Sequence, residues 1–204
     1  MIEDPTRWES LYQNKTEAET SWHEERPQVS LDLIAATGAT SDAAIVDVGA
    51  GASRLVDCLL DQGFRRITVL DLSETALAKA RARLPADAPV DWVVANLLDW
   101  RPSGPFDIWH DRAAFHFLTG RADQQAYLRV MDRALAPGGH AIIGTFAPDG
   151  PEKCSGLPVA RYDATRLAER LGPGYRPIQS LMHDHRTPWG SEQRFHFGLF
   201  RKNG

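Results

Sequence analysis

The chain has 204 residues, of which 43% are hydrophobic and 25% are charged, and its formal net charge at pH 7 is −4. These values are ordinary for a globular protein, so we expect one domain over residues 1–204 with a core of its own. The negative net charge gives no general attraction to nucleic acid or to an anionic membrane. No apolar run approaches the ~18 residues that are needed to span a membrane. Two cysteines and the absence of an apolar leader predict a cytoplasmic protein without a disulfide framework.

The first 40 residues are expected to form a helical lid. Trp8, Leu11 and Tyr12 share one helical face, and Pro27 is expected to open a second helix that ends near Gly38. The polar segment between these helices carries Trp22 and His23. We expect this aromatic loop to lie across the mouth of a ligand site, and the alternative is a plain pair of covering helices.

From residue 44 onward, predicted strands alternate with predicted helices. The strands are expected at 44–48, 67–71, 91–95, 106–110 and 140–146, and the helices at 54–62, 74–84, 121–135 and 163–171. The last two apolar runs, 178–185 and 193–200, read as an antiparallel hairpin. The pattern predicts an α/β fold with a doubly wound, mostly parallel seven-stranded sheet, helices on both faces and a C-terminal antiparallel hairpin.

A glycine turn follows the first predicted strand. Gly49 and Gly51 lack a Cβ, so the backbone there can approach a ligand closely, and Asp71 follows 20 positions later at the end of the second strand. An acid at that distance suits the two hydroxyls of a ribose. A dinucleotide fingerprint fits poorly, because its third glycine would fall on Arg54.

The arrangement of Asp47, Gly49 and Gly51 resembles the first motif of the class I S-adenosylmethionine-dependent methyltransferases. The resemblance implies S-adenosylmethionine as cofactor, with Asp47 near its methionine moiety. It also implies that the residues just after each strand bind the cofactor, with Asp99 an alternative to Asn96 at the adenine. The expected cofactor-binding residues are Asp47, Gly49, Gly51, Asp71, Leu72, Asn96, Leu97 and Trp22.

Several short segments narrow the resemblance. The run from Phe106-Asp107 to Asp111-Arg112-Ala113-Ala114 is similar to a stretch of the thiopurine methyltransferase group, as are the Trp22-His23-Glu24-Glu25 and His185-Arg186-Thr187-Pro188-Trp189-Gly190 segments. The resemblance implies methyl transfer to a small molecule, with a thiol or another soft chalcogen as acceptor. Protein lysine N-methyltransferases of the same fold, and a non-catalytic module that binds S-adenosylmethionine, remain as alternatives.

The catalytic residues are expected after the fourth strand. Arg112 is always charged and would hold an anionic acceptor, Asp111 would orient it or accept a proton, and His110 could also accept a proton. A purely structural Asp111–Arg112 ion pair is the alternative. The aromatic face of Trp22 or Trp109 could contact the sulfonium.

No metal site is expected. His183 and His185 share one face of a strand, but no third ligand is evident from the sequence. Cys58 is expected in the core and Cys154 as an ordinary exposed thiol near the site. Beside the cofactor, the partner predicted from the sequence is a small-molecule methyl acceptor. Binding to nucleic acid or to a membrane is not expected.

Overall fold

The computed structural model describes residues 4–204, so the first three residues of the predicted lid lie outside the described part of the chain. Within residues 4–204, seven strands form one sheet in the order β3-β2-β1-β4-β5-β9-β8. Their bounds are β1 Ala44–Val48, β2 Arg66–Asp71, β3 Val90–Val94, β4 Phe106–Arg112, β5 Leu135–Phe146, β8 Tyr175–Arg186 and β9 Glu192–Lys202.

The strand directions confirm the predicted topology. Neighbours from β3 to β5 pair in parallel, and β9 is antiparallel to both β5 and β8. All five residues of β1 are buried, as expected for a central parallel strand that is covered on both faces. The chain reverses its strand order beside β1, which places a crevice at the carboxyl ends of β1, β2 and β4.

Helices cover both faces of the sheet, as predicted. The helices are α1 Pro5–Asn14, α2 Gln28–Ala36, α3 Leu55–Asp61, α4 Glu74–Ala82, α5 Arg121–Ala134 and α6 Ala164–Leu171, with short 3₁₀ turns at Glu17–Glu19 and Phe115–Phe117. Side chains of α2 and α3 pack in one buried apolar cluster, and those of α5 and α6 pack in the other. In α5, Tyr127, Val130, Met131 and Ala134 recur at helical spacing and are buried, which explains how this helix docks.

Strand β4 is longer than predicted, and the difference matters for the site. It continues beyond His110 to Arg112, so the three expected catalytic residues lie on the strand and alternate between its faces. Strand β5 also begins early, at Leu135, with a register shift opposite Phe106 and Ile108. The loop after β5 contains a small hairpin, β6 Lys153–Cys154 and β7 Leu157–Pro158, that the sequence did not reveal.

The N-terminal segment is bound to the domain by polar contacts. The Glu9 carboxylate accepts a hydrogen bond of 2.7 Å from the Ser73 hydroxyl, and it also accepts from Thr75. Lys79 of α4 donates to the carbonyl oxygens of Tyr12 and Lys15. These contacts hold α1 against α4, beside the crevice. Among residues 4–204, no helix is long and apolar enough to cross a membrane.

Candidate active site

A cavity lies at the crevice, with about 1010 Å³ of empty space including its open mouth. The wall combines apolar and aromatic side chains with a few polar groups. Its lining residues are Trp8, Tyr12, Trp22, Asp47, Gly49, Ala50, Ser53, Leu70, Asp71, Leu72, Ala95, Leu97, Leu98, His110, Arg112, Ala113, Ala114, Phe117, Leu118 and Cys154.

The glycine turn after β1 depends on the absence of side chains. Gly49 and Gly51 have φ values of +63° and +57°, in the left-handed region that favours glycine. A Cβ on Gly49 would lie 2.5 Å from the Cβ of Ala114, and a Cβ on Gly51 would collide with the Tyr12 hydroxyl. Gly49 lines the cavity, whereas Gly51 is not a lining residue and donates its backbone N–H to Asp71.

Asp71 is a buried carboxylate at the end of β2 that faces this cavity. Its oxygens accept hydrogen bonds of 2.8 Å from the backbone N–H groups of Gly51 and Ser73. Burial raises the pKa of Asp71 to about 6, although these hydrogen bonds oppose the shift. A ligand that donates hydroxyl groups to the carboxylate would stabilise its ionised form. The structure therefore places a buried carboxylate in the cavity wall at the predicted position.

The segments after β2 and β3 form an apolar slot. Leu72, Ala95, Leu97 and Leu98 line the cavity there. The side chain of Asn96 is not part of that wall: its amide oxygen accepts from the Leu98 backbone N–H at 3.0 Å, and its amide nitrogen donates to Asp99 at 3.2 Å. Of the residues expected to bind the cofactor after β3, Leu97 lies at the wall, whereas Asn96 and its alternative at the adenine, Asp99, contact each other outside the wall.

Asp47 and His110 form a buried pair on neighbouring strands. The Nδ1 atom of His110 lies 2.6 Å from a carboxylate oxygen of Asp47, and its Nε2 atom lies 2.8 Å from the hydroxyl of Ser30. Both residues line the cavity. Both ring nitrogens of His110 have protein partners, so the imidazole is held in place between Asp47 and Ser30.

Arg112 connects the wall of the cavity to the N-terminal segment. Its guanidinium lies 3.1 Å from the Glu24 carboxylate and donates a hydrogen bond of 2.8 Å to the carbonyl oxygen of Trp22. Burial lowers the pKa of Arg112, and the charge of Glu24 opposes the shift. Burial alone would raise the pKa of Glu24, but the hydrogen bond with His185 and the Arg112 charge outweigh it, so that pKa is lowered. The ion pair is thus a charged contact between β4 and the predicted lid.

The expectation that Asp111 orients or pairs with Arg112 is wrong. Asp111 lies on the opposite face of β4, where it accepts hydrogen bonds from the Ala114 and Phe115 backbone N–H groups and from the Tyr127 hydroxyl at 2.7 Å. Burial raises the pKa of Asp111 to about 6. Because adjacent strand residues point to opposite faces, Asp111 holds the turn after β4 and is absent from the cavity wall.

Two other expectations are corrected. Trp109 is completely buried and its Nε1–H donates to Tyr127 at 2.8 Å, so it belongs to the core and does not face a sulfonium in the cavity. Cys154 is a buried residue of the cavity wall, and not an exposed thiol. Burial raises the pKa of its thiol to about 12, which makes it a poor nucleophile. Cys58 is buried in the core, as predicted.

An aromatic wall closes the cavity on the N-terminal side. Trp8 and Tyr12 of α1 join Trp22 and Phe117 there, and the Trp8 ring meets those of Trp22 and Phe117 edge-to-face with centroids 6.4 and 5.2 Å apart. Trp22 thus lies where the sequence placed it. Trp8 and Tyr12 were expected only as a helical face, and their shared spacing was the signal that α1 turns this face toward the site.

The strand order, the glycine turn and the buried acid after β2 together define the class I methyltransferase fold. Residues 45–139 match the model of a family described as "Methyltransferase domain". This match covers 95 of the 204 residues, the part of the chain that contains the glycine turn, Asp71 and β4.

Individual relatives are similar over part or all of the chain. A trans-aconitate 2-methyltransferase of Acidovorax ebreus (strain TPSY) is 33% identical over 132 residues, which is 64% of this chain and 48% of the relative. The chain thus spans about half the length of the curated relative that it matches. The thiopurine methyltransferase resemblance is not shown by these comparisons.

Two solved structures share the fold. The 1,6-didemethyltoxoflavin-N1-methyltransferase of Burkholderia thailandensis, with 1,6-didemethyltoxoflavin and S-adenosylhomocysteine bound, has a TM-score of 0.71 at 22% identity and covers 100% of this chain and 85% of that one. The N-methyltransferase NodS of Bradyrhizobium japonicum WM9, in complex with S-adenosylhomocysteine, has a TM-score of 0.70 at 13% identity and covers 97% and 99% of the two chains.

Proposed function

We propose that this chain transfers a methyl group from S-adenosylmethionine to a small-molecule nucleophile that enters the cavity already ionised, with a thiolate or another soft chalcogen anion as the first candidate. The observation that best supports S-adenosylmethionine as the cofactor is the buried Asp71 carboxylate, which faces the cavity beside the glycine turn. A cytoplasmic location, expected from the cysteine usage, stays a prediction.

The residues present fit the cofactor. Asp71 would accept the two ribose hydroxyls, Leu72 and Leu97 would enclose the adenine, and the Gly49 backbone together with Asp47 would hold the amino-acid end. Asn96 would act indirectly, since its side chain holds the turn that carries Leu98. When bound, S-adenosylmethionine supplies an electrophilic methyl group on a sulfonium.

The class of methyl acceptor is inferred from the groups in the cavity that could take a proton from it. Among the described cavity-lining residues, each carboxylate and imidazole already has a protein partner: Asp47 with His110, and Asp71 with backbone N–H groups. The Cys154 thiol, whose pKa burial raises, is no base at neutral pH. A nucleophile that must lose a proton inside the site would compete with these partners for a base, whereas an anion needs none.

For a thiolate the reaction balances without the protein taking a proton. The sulfur–methyl bond forms as the sulfonium–methyl bond breaks, which leaves a thioether and S-adenosylhomocysteine. The chain contributes alignment and exclusion of water, through the aromatic wall of Trp8, Trp22 and Phe117. Arg112 lines the cavity at the Trp22 side, where its positive charge would favour an anionic acceptor.

A carboxylate is the second candidate acceptor, because the trans-aconitate 2-methyltransferase is similar to this chain and a carboxylate also arrives ionised. Protein lysine methylation fits less well. A lysine ammonium must lose its proton to one of the partnered cavity groups before it can attack, whereas a thiolate or a carboxylate needs no base.

Incubation with methyl-labelled S-adenosylmethionine and four acceptors tests the proposal. The panel is a low-pKa aromatic thiol, a high-pKa alkyl thiol, trans-aconitate and a lysine peptide. We expect label on the low-pKa thiol, with a rate at saturating enzyme that follows the thiol's own ionisation. Label on the lysine peptide alone would contradict the acceptor class. S-adenosylhomocysteine binding without transfer to any acceptor would favour a non-catalytic binding module.

A further inference from the structure

Glu24, His183 and His185 form a cluster outside the cavity that the methyl transfer does not use. The Oε1 atom of Glu24 lies 3.1 Å from Nδ1 of His185 and 3.6 Å from Nε2 of His183, and the three ligand atoms lie within 4.8 Å of one another. In a tetrahedral zinc site with bonds of ~2.0–2.1 Å, ligand atoms are about 3.3 Å apart. The third ligand that the sequence lacked is therefore provided by the N-terminal segment, 159 positions before His183.

Both ring nitrogens of His185 face hydrogen-bond acceptors. Its Nε2 atom lies 2.6 Å from the carbonyl oxygen of Ser21, and its Nδ1 atom lies 3.1 Å from the Glu24 carboxylate. Both partners are acceptors, whereas a neutral imidazole has one N–H donor. With Nε2–H donated to Ser21, the lone pair on Nδ1 faces a carboxylate oxygen, and this contact becomes favourable when a cation lies between the two atoms.

We propose that Glu24, His183 and His185 bind one divalent transition-metal ion of the zinc type. The supporting contacts match those of known metal sites, in which a ligating histidine donates its other N–H to a carbonyl and a ligating carboxylate is itself hydrogen-bonded. Here His185 donates to Ser21, and the Oε2 atom of Glu24 lies 3.1 Å from the Arg112 guanidinium, which leaves Oε1 as the ligand. Two imidazoles and one carboxylate are a ligand set that zinc accepts, with water in a fourth position.

The ion would hold the lid to the sheet. Glu24 follows Trp22 of the cavity wall by two positions, whereas both histidines lie on β8, at the far edge of the sheet. A shared ion would tie these two parts together directly beside Arg112. Metal binding would therefore order the segment that carries Trp22, independently of which acceptor the enzyme uses.

Calorimetric titration of untagged, chelator-treated protein with Zn²⁺ tests the site. We expect one ion per chain. The affinity for Zn²⁺ should fall in His183→Gln and in Glu24→Gln by more than the roughly 10–100-fold that is typical when a residue that only hydrogen-bonds to a metal ligand is replaced. His140→Gln is the matched control, since His140 is a half-buried strand histidine on β5 away from the cluster, and it should bind as the wild type does. His183 is also half-buried, so its replacement is compatible with folding.

Melting temperature gives a second measurement on the same proteins. Zn²⁺ should raise the melting temperature of the wild type and of His140→Gln, and should leave that of His183→Gln unchanged. Absence of Zn²⁺ binding by the wild type would overturn the proposal. Equal affinity in wild type and Glu24→Gln would also overturn it, because the ion would then rest on the histidine pair alone.

Discussion

The replacement Asp71→Asn tests the assignment of the cofactor. At neutral pH this carboxylate is ionised, because its pKa of about 6 lies below 7. It already accepts from two backbone N–H groups, and the ribose hydroxyls would donate to its remaining lone pairs. The variant keeps the shape of the side chain but removes the charge and one acceptor oxygen.

The size of the effect follows from the hydrogen bonds lost. Two bonds to a charged group contribute ~3–6 kcal/mol, and a neutral amide oxygen would retain about 1 kcal/mol of that. The difference, ~2–5 kcal/mol, corresponds to a Kd that is weaker by about 30-fold to several thousand-fold. The Gly51 or Ser73 N–H group would also lose its acceptor, at a cost of ~1–3 kcal/mol in the free energy of unfolding.

Calorimetry with S-adenosylhomocysteine measures the first effect, and thermal melting measures the second. Asp99→Asn is the matched control, because Asp99 is an exposed acid on the same edge of the sheet that contacts Asn96. We expect it to bind as the wild type does. A folded Asp71→Asn protein that binds within about 3-fold of wild type would refute the ribose assignment, since the lost bonds are worth more than that.

Three further predictions follow from the charged groups and the lid. Arg112→Met removes the cation beside the cavity and should lower kcat by roughly 10²-fold while S-adenosylhomocysteine still binds. Normal turnover in a variant that melts at a lower temperature would instead make Arg112 a structural residue. Limited proteolysis should cut the first 25 residues more slowly when S-adenosylhomocysteine is present, because Trp22 lines the cavity, and equal rates would contradict the lid. Burial raises the pKa of Asp71 and of Asp111 to about 6, above the ~3.9 of an unfolded aspartate, so the native chain binds more protons than the unfolded chain between about pH 4 and 6. These two groups should therefore make the free energy of unfolding fall as pH rises through that window. Asp111→Asn should make this dependence on pH less steep. Denaturant titrations that give the same dependence for the variant and the wild type would argue against the raised pKa.

The strands of the sheet could be predicted from the sequence, because the patterns that indicate them lie in adjacent residues of the chain. The apolar run of β1, the glycine turn at Gly49 and the acid at Asp71 each carry their signal within a few residues. The closing pair β8 and β9 was recognised in the same way, from two apolar runs around a turn. Boundaries were less certain: β4 continues to Arg112 because its last residues still pair with β5.

Contacts between distant parts of the chain could not be predicted. Glu24 meets Arg112 and His185 only after the N-terminal segment has packed on the sheet, and nothing near Glu24 in the sequence marks those partners. The role of Asp111 was misjudged for a related reason. Its acceptor sites are filled by a turn and by Tyr127 of a later helix, so tertiary packing decides that it supports the fold.

Calorimetric titration of the wild-type protein with S-adenosylhomocysteine, and in parallel with NAD, tests the central claim most directly. We expect one S-adenosylhomocysteine per chain and no measurable binding of NAD, because the turn at Gly49 and Gly51 lacks the third glycine of a dinucleotide site, where Arg54 stands instead. Tight binding of NAD with none of S-adenosylhomocysteine would contradict the methyltransferase assignment.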